Sequence, residues 1–234
     1  MRNLFRDISE VREIRGDLSS WLIHLTKDNH FTHTGKTQFM TAKDCLDQML
    51  SNNTLGSYSP VGHFSYRPWY QSVNPKDLHA VCLTETPLSE IFLFANIKNK
   101  QTNFSSYGLV FDKDQLAQAP NFAAPVHYIS QPNGSTHFVD IYRNLQPSEL
   151  TSLKDTLFLF DTFGKTSTNV DRNFRWEREW RIKDSIPNVQ SFVKFGLCPE
   201  ADIPYFEQQY DIVFVDPFFN PKQIEKKLKD NGII

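Results

Sequence analysis

Shortages mark this chain before any motif does. Cysteine is limited to Cys45, Cys82 and Cys198, an odd and widely spaced set. They make no Cys-x-x-Cys pair and no disulfide framework, and read as buried, reduced thiols of a reducing compartment. No apolar run approaches the roughly 18 residues that cross a bilayer. The opening segment, MRNLFRDISEVREIRGD, is charged and lacks the apolar heart of a secretion signal. Together these absences set the expectation of a cytoplasmic protein that stays off membranes. Neither sign of charge dominates: the formal net charge is −2 and the pI is near 6.4. No global basic field therefore draws the chain to nucleic acid or anionic lipid. A nuclease is disfavoured on the same ground, and because no Asp/Glu-x-Lys pattern follows on a later strand. Glycine is scarce, at 9 residues. The fragment most like a phosphate loop, Gly164-Lys165-Thr166, lacks the first glycine of that motif and follows no clear strand. Repeats, low-complexity tracts and linkers are missing too, which predicts a single domain over residues 1–234.

Phenylalanine is abundant, at 20 residues, in a chain that is 39% hydrophobic. That is enough to bury a sizeable core, and bulky rings will dominate its packing. Apolar spacing predicts an amphipathic helix over 1–17, on Leu4, Phe5, Ile8, Val11 and Ile14. Residues 21–26 read as a strand and 28–40 as turn and loop. Residues 42–52 read as a helix capped by Thr41, with Asp44 in its first turn. A long aromatic loop fills 53–78. Further strands are expected at 80–86, 107–111, 125–130, 174–182 and 193–197, and a uniformly apolar central strand at 211–215. Helices are expected at 88–97, 147–160 and 221–231. Strands outnumber strong helices and do not alternate regularly with them. The expected class is α+β, a mixed, mainly antiparallel sheet core with peripheral helices.

The densest chemistry lies in residues 175–182, RWEREWRI. At strand period, Phe174, Trp176, Arg178, Trp180 and Ile182 share one mostly aromatic face. Arg175, Glu177, Glu179 and Arg181 share the other, in the order + − − +. Same-face neighbours sit about 7 Å apart, so the carboxylates repel weakly and the flanking guanidinium groups offset the repulsion. Two readings stay open. One is a surface strand laced with cross-strand salt bridges. The other aims Glu177 and Glu179 into a cleft. There one carboxylate would hold sugar hydroxyls and the other would activate a nucleophile against an oxocarbenium-like transition state.

Other residues carry weaker signals. His24 on its strand is either a satisfied core residue or a ligand contact. Glu85 follows an apolar face to a strand end, at the rim or in a site. Tyr66, Trp69 and Tyr70, with Arg67, could stack on an adenine or nicotinamide ring, on a partner, or on one another. His30 and His33 lack further ligands at finger spacing, so no metal is expected. Asp216-Pro217 reads as a turn.

Three segments in order, CLTETP at 82–87, YGLVFDK at 107–113 and WEREWRI at 176–182, resemble the AbiGi-type abortive phage resistance proteins. They also resemble a broader bacterial family whose hallmark is a W-x-x-E-x-E/W-R strand. The likeness spans about residues 20–220. AbiGi-like proteins are antitoxin-side partners of a toxin in phage defence, so this resemblance implies a cognate toxin or antitoxin partner. A second resemblance, carried by LIHLT at 22–26 followed by a helix and a short strand, is to the DarT-like branch of the ADP-ribosyltransferase fold. It implies NAD as cofactor, with His24 on the first strand toward the adenosine side and Thr84 or Thr86 in the middle position. Glu179 would be the catalytic carboxylate, with Glu177 as its helper. Thr26, Arg175, Arg181 and Tyr70 complete the expected cofactor contacts. The chain departs from that fold in lacking its aromatic-Ser-Thr-Ser strand and in the charged setting of the Glu. Two functions are thus expected: an NAD-dependent ADP-ribosyltransferase-like enzyme of a phage-defence or toxin system, or a non-catalytic antitoxin or sensor module that binds a toxin partner or a nucleotide.

Overall fold

A computed structural model describes residues 19–33, 36–57, 59–62, 74–96, 104–119, 122–130, 155–165, 171–172 and 178–234. The helix expected over 1–17 lies outside them, as do Tyr70, Arg175 and Glu177. The chain divides into two compact units. One comprises Met1–Thr54, Leu83–Leu116 and Pro187–Ile234; the other comprises Leu55–Cys82 and Ala117–Ile186.

The first unit holds β1 (Trp21–Leu25), β2 (Asn29–His33), β3 (Lys36–Met40), α1 (Ala42–Ser51), the end of β5 (Ala80–Thr84), α2 (Ile91–Asn96), β6 (Gly108–Asp112), α3 (Lys113–Ala117), β13 (Val193–Leu197), α4 (Ile203–Gln209), β14 (Phe214–Val215) and α5 (Pro221–Asp230). The second holds β4 (Thr54–Gly56), the start of β5, β7 (Ala124–Pro125), β8 (His127–Ser130), β9 (Phe160–Lys165), β10 (Asp171–Arg172), β11 (Glu179–Lys183) and β12 (Ser185–Pro187). In the first unit the main sheet runs in the order β14-β13-β6-β1-β5, and in the second β11 pairs with β7. Pairing is mainly antiparallel; β13 and β14 run parallel. The protein is thus mixed α/β with a mainly antiparallel sheet, as the strand count implied.

In the first unit, β1 pairs with β6 from Trp21↔Asp112 to Leu25↔Gly108. Neighbours Leu22 and Ile23 point to opposite faces of a strand, yet both are buried, as are Val110 and Phe111 on β6. Burial on both faces explains why these strands read as unbroken apolar runs. Ile23, Leu25, Val110, Phe195 and Leu197 pack with Ile91 and Phe94 of α2 and Ile224 and Leu228 of α5. Thr41 caps α1 in a full capping box with Asp44, and Asn220 caps α5 in another with Gln223. α1 is pinned at its start: the Lys43 ammonium and the Tyr107 hydroxyl both donate to Asp202, each at 2.5 Å. These two donors hold the Asp202 carboxyl below its ordinary range.

Four local expectations change. Residues 29–40 are not a loop: β2 and β3 form a two-stranded ladder from Asn29↔Met40 to His33↔Lys36. Of the helix expected over 147–160, residues 157–159 form a single 3-10 turn and Phe160 starts β9, while residues 147–154 lie outside the described ones. Of the strand expected over 174–182, residues 179–182 lie in β11, Arg178 before them has φ 47°, a left-handed conformation that ladders exclude, and residues 174–177 lie outside the described ones. Finally, β14 stands at the end of the sheet order, not its centre, and is two residues long.

Candidate functional site

The site built around Glu179 lies in the second unit. Glu179 and Arg181 sit two apart on β11, hence on one face, and Arg181 is buried. Burying a guanidinium is costly unless its donors are matched, and here they are. Nε donates to Glu179 Oε1 at 2.8 Å, and Nη2 donates to Glu179 Oε2 at 3.0 Å. This is the bidentate fork geometry that suits arginine to carboxylate. Nη2 also donates to Asp161 Oδ2 at 2.9 Å, and Nη1 to the Phe158 carbonyl at 2.6 Å. The Tyr128 hydroxyl then donates to Glu179 Oε2 at 3.1 Å.

Each partner arrives from a different element. Val126 donates its N–H to the Glu179 carbonyl at 2.9 Å, which ties the stretch between β7 and β8 to β11 and brings Tyr128 to the carboxylate. The 3-10 turn aims the Phe158 carbonyl, and β9, which runs parallel to β8, supplies Asp161. Beneath them Ala80, Phe158 and Leu159 pack with Val61 and Ala124.

The electrostatics follow from enclosure. Burial pushes the Cys82 thiol far above its ordinary value, and the nearby Glu179 carboxylate adds to this, which favours the protonated thiol. Burial and Glu179 push the Tyr128 hydroxyl up in the same way. For Arg181 burial disfavours the charge, but Glu179 and the other groups around it outweigh that and hold the guanidinium ionised.

Gly62 completes the enclosure. It has φ 82°, and a Cβ there would stand 2.7 Å from Arg181 Nη1 and 2.7 Å from the Phe160 carbonyl oxygen. Only glycine supplies both the backbone conformation and the space. Gly62→Ala is therefore expected to destabilise the protein by about 1–3 kcal/mol, read as a lower urea midpoint with unchanged slope. A midpoint equal to wild type would mean that the segment around Gly62 does not close on Arg181.

The other expected site residues fall elsewhere. His24 is half-buried on β1 opposite Leu109, in the first unit. Thr26 is buried, with its hydroxyl directed at the Ala42 and Tyr107 carbonyls at 2.9 and 3.1 Å, so it fastens β1 to neighbouring segments. Thr84 and Thr86 are brought together, Oγ1 to Oγ1 at 2.8 Å. Between them in sequence, Glu85 accepts from the Lys113 ammonium at 2.7 Å, with both side chains at or below 10% exposure. The geometry thus joins Glu179 with Arg181, and Thr84 with Thr86. Asp161, Tyr128, the Phe158 carbonyl and Gly62 were not anticipated. Tyr128 at least lay in an expected strand, whereas Asp161 stood just past the end of the helix expected over 147–160 with no element assigned to it, and nothing in the sequence flagged Gly62. Among the described residues, no group of three or more His, Cys, Asp and Glu could hold a metal ion, and no helix is long and apolar enough to cross a membrane.

No protein-family model, curated protein or solved structure matches this chain.

Proposed function

We propose that this chain is a non-catalytic, antitoxin-side or sensor protein of a bacterial phage-defence system, acting through a bound partner. The observation that carries the non-catalytic reading is the state of Glu179. Both of its oxygens accept hydrogen bonds from Arg181, one of them also from Tyr128, and Arg181 is itself fastened to Asp161 and Phe158. A general base or sugar-orienting carboxylate needs an oxygen directed at the substrate; this one is directed inward. The setting in phage defence rests on the resemblance of CLTETP, YGLVFDK and WEREWRI to the AbiGi group.

A second reading keeps NAD and an ADP-ribosyltransferase-like reaction at Glu179. In its favour, a strand carboxylate, a guanidinium and a tyrosine hydroxyl converge within 3.1 Å contacts. Purified protein incubated with labelled NAD separates the two. The first reading expects no NAD consumption or label transfer, and expects Glu179→Gln to keep phage protection if its melting curve shows a folded protein. It also expects stable copurification with a neighbouring gene product. NAD turnover by wild type that Glu179→Gln abolishes would establish the second reading in its place.

A further inference from the structure

Within the first unit, α5 and the 3-10 turn Leu88–Glu90 that leads into α2 both line a cleft of about 140 Å³. From α5 come Pro221, Ile224 and Leu228, spaced three and four apart and so on one side of the helix. Leu88 and Ser89 come from the turn, and Trp21 of β1 and Ile234 add to the lining. The Trp21 ring is fixed by Phe195, which meets it edge-on at 5.7 Å. A space of this size is comparable to cavities that take up one benzene ring. It has room for one leucine or phenylalanine side chain.

The apolar surface continues past the cleft. Phe92 and Leu93 follow Leu88 and Ser89 by four residues, hence about one turn along the same side. They are 38% and 47% exposed, and Ile234 is 52% exposed. Single exposed apolar residues are ordinary, but a group of them beside an apolar cleft marks an interaction surface. The edge along α5 is also charged. Glu225 is the charged residue that lines the cleft. Lys229 donates to its carboxylate at 2.5 Å. That hydrogen bond above all, with Lys222 adding to it, holds the Glu225 carboxyl below its ordinary range. Two ammonium groups against one carboxylate leave this edge basic, in a chain whose net charge is −2.

We propose that this surface receives an amphipathic helix of a partner protein, with a leucine or phenylalanine seated against Trp21 and acidic residues along the flank that meets Lys222 and Lys229. This rests on the reading that the chain acts through a bound partner, and it gives that partner its chemistry. Helices dock in grooves through apolar anchors one turn apart. One anchor fills the cleft, and the next covers Phe92 and Leu93. Carboxylates on the flank speed encounter and fix orientation. A small apolar molecule would fill the cleft but leave Phe92, Leu93 and the lysines unused.

The test titrates the full chain with two labelled synthetic peptides that share one helical apolar face, leucine and phenylalanine at i, i+4 spacing. One carries glutamate on its polar face and the other lysine. Fluorescence anisotropy reads the binding. The glutamate peptide is expected to bind one-to-one and at least about fivefold more tightly than the lysine peptide at low salt, the difference narrowing as salt is added. Ser89→Phe, made at an exposed position that lines the cleft, is expected to weaken that binding by about tenfold or more without altering the melting curve. Lys222→Glu combined with Lys229→Glu is expected to erase the preference between the peptides, and keeps the test valid if Ser89→Phe fails to fold. Failure of the glutamate peptide to bind, equal binding of the two peptides, or binding that survives Ser89→Phe overturns the proposal. So does a dimer that Ser89→Phe dissolves, which would give this face to a second copy of the chain. If a copurifying partner stays bound to Ser89→Phe, this surface is not its site, although the partner reading stands. NAD turnover lost in Glu179→Gln removes the partner reading instead, whatever the peptides do.

Discussion

Replacing Arg181 with leucine is expected to lower stability by about 3–5 kcal/mol, the range for removing one partner from a buried charged network. The loss comes from what remains. Glu179, Asp161 and the Phe158 carbonyl would keep their enclosed positions without the donor that all of them share. Urea unfolding should show this as a large fall in midpoint at near-constant slope. Arg181→Lys tests whether charge or shape matters. Lysine keeps the charge but offers a point donor where arginine offers a planar fork, so an intermediate loss of about 1–3 kcal/mol is expected. If Arg181→Leu falls within 1 kcal/mol of wild type, the network does not anchor the second unit, and the carboxylate of Glu179 is free for another use.

Gly196→Ala is the second large effect, and it strikes the first unit. Gly196 pairs with Phe214 across the parallel β13–β14 contact. A Cβ at position 196 would fall 2.0 Å from Cε1 of the Phe214 ring, with two more ring atoms within 2.5 Å. The ring covers the glycine and occupies the volume a side chain would need, a known way of compensating glycine near a sheet edge. Phe214 and Gly196 are both buried, so relief requires moving β14 or rotating the ring into Phe206, which stacks on it at 5.0 Å. Overpacking of this kind costs about 1–3 kcal/mol and sometimes more; the short contacts put the expectation at the upper end. Phe214→Leu should partly rescue Gly196→Ala, so the double variant should be more stable than the sum of the two single losses predicts. Strict additivity would mean that the ring is not what excludes the methyl group.

Legibility followed the strength of local signals. The helix expected at 42–52 on its Thr41 cap and the helix expected at 221–231 both fall within a residue of expectation. Val193–Leu197 is a strand in both views. The hairpin of β2 and β3 was missed because NHFTH and KTQFM are mixed in polarity. Ladder hydrogen bonds hold such strands without leaving an apolar alternation to read. The stretch 157–165 misled in the opposite direction, since LFLF suits a helix until FDTFG turns extended. The charge row was half legible. Glu179 and Arg181 do share a face and do pair, but as an inward clamp whose other members, Asp161 and Tyr128, come from strands far away in sequence. No local pattern announces such a closure. Likewise, Glu85 and Lys113 each stood in a noted segment, but their pairing depends on tertiary structure.

The left-handed Arg178 has a consequence for experiments along RWEREWRI. A strand lets one count in twos, so that every second letter belongs to one row. A residue at φ 47° interrupts that count much as a dropped stitch shifts a pattern. Letters before position 178 cannot be given a side by extrapolating from Glu179. A mutational series across this stretch should therefore be scored as two separate runs. Glu177 should not be taken as a twin of Glu179 merely because the alphabet spaces them alike.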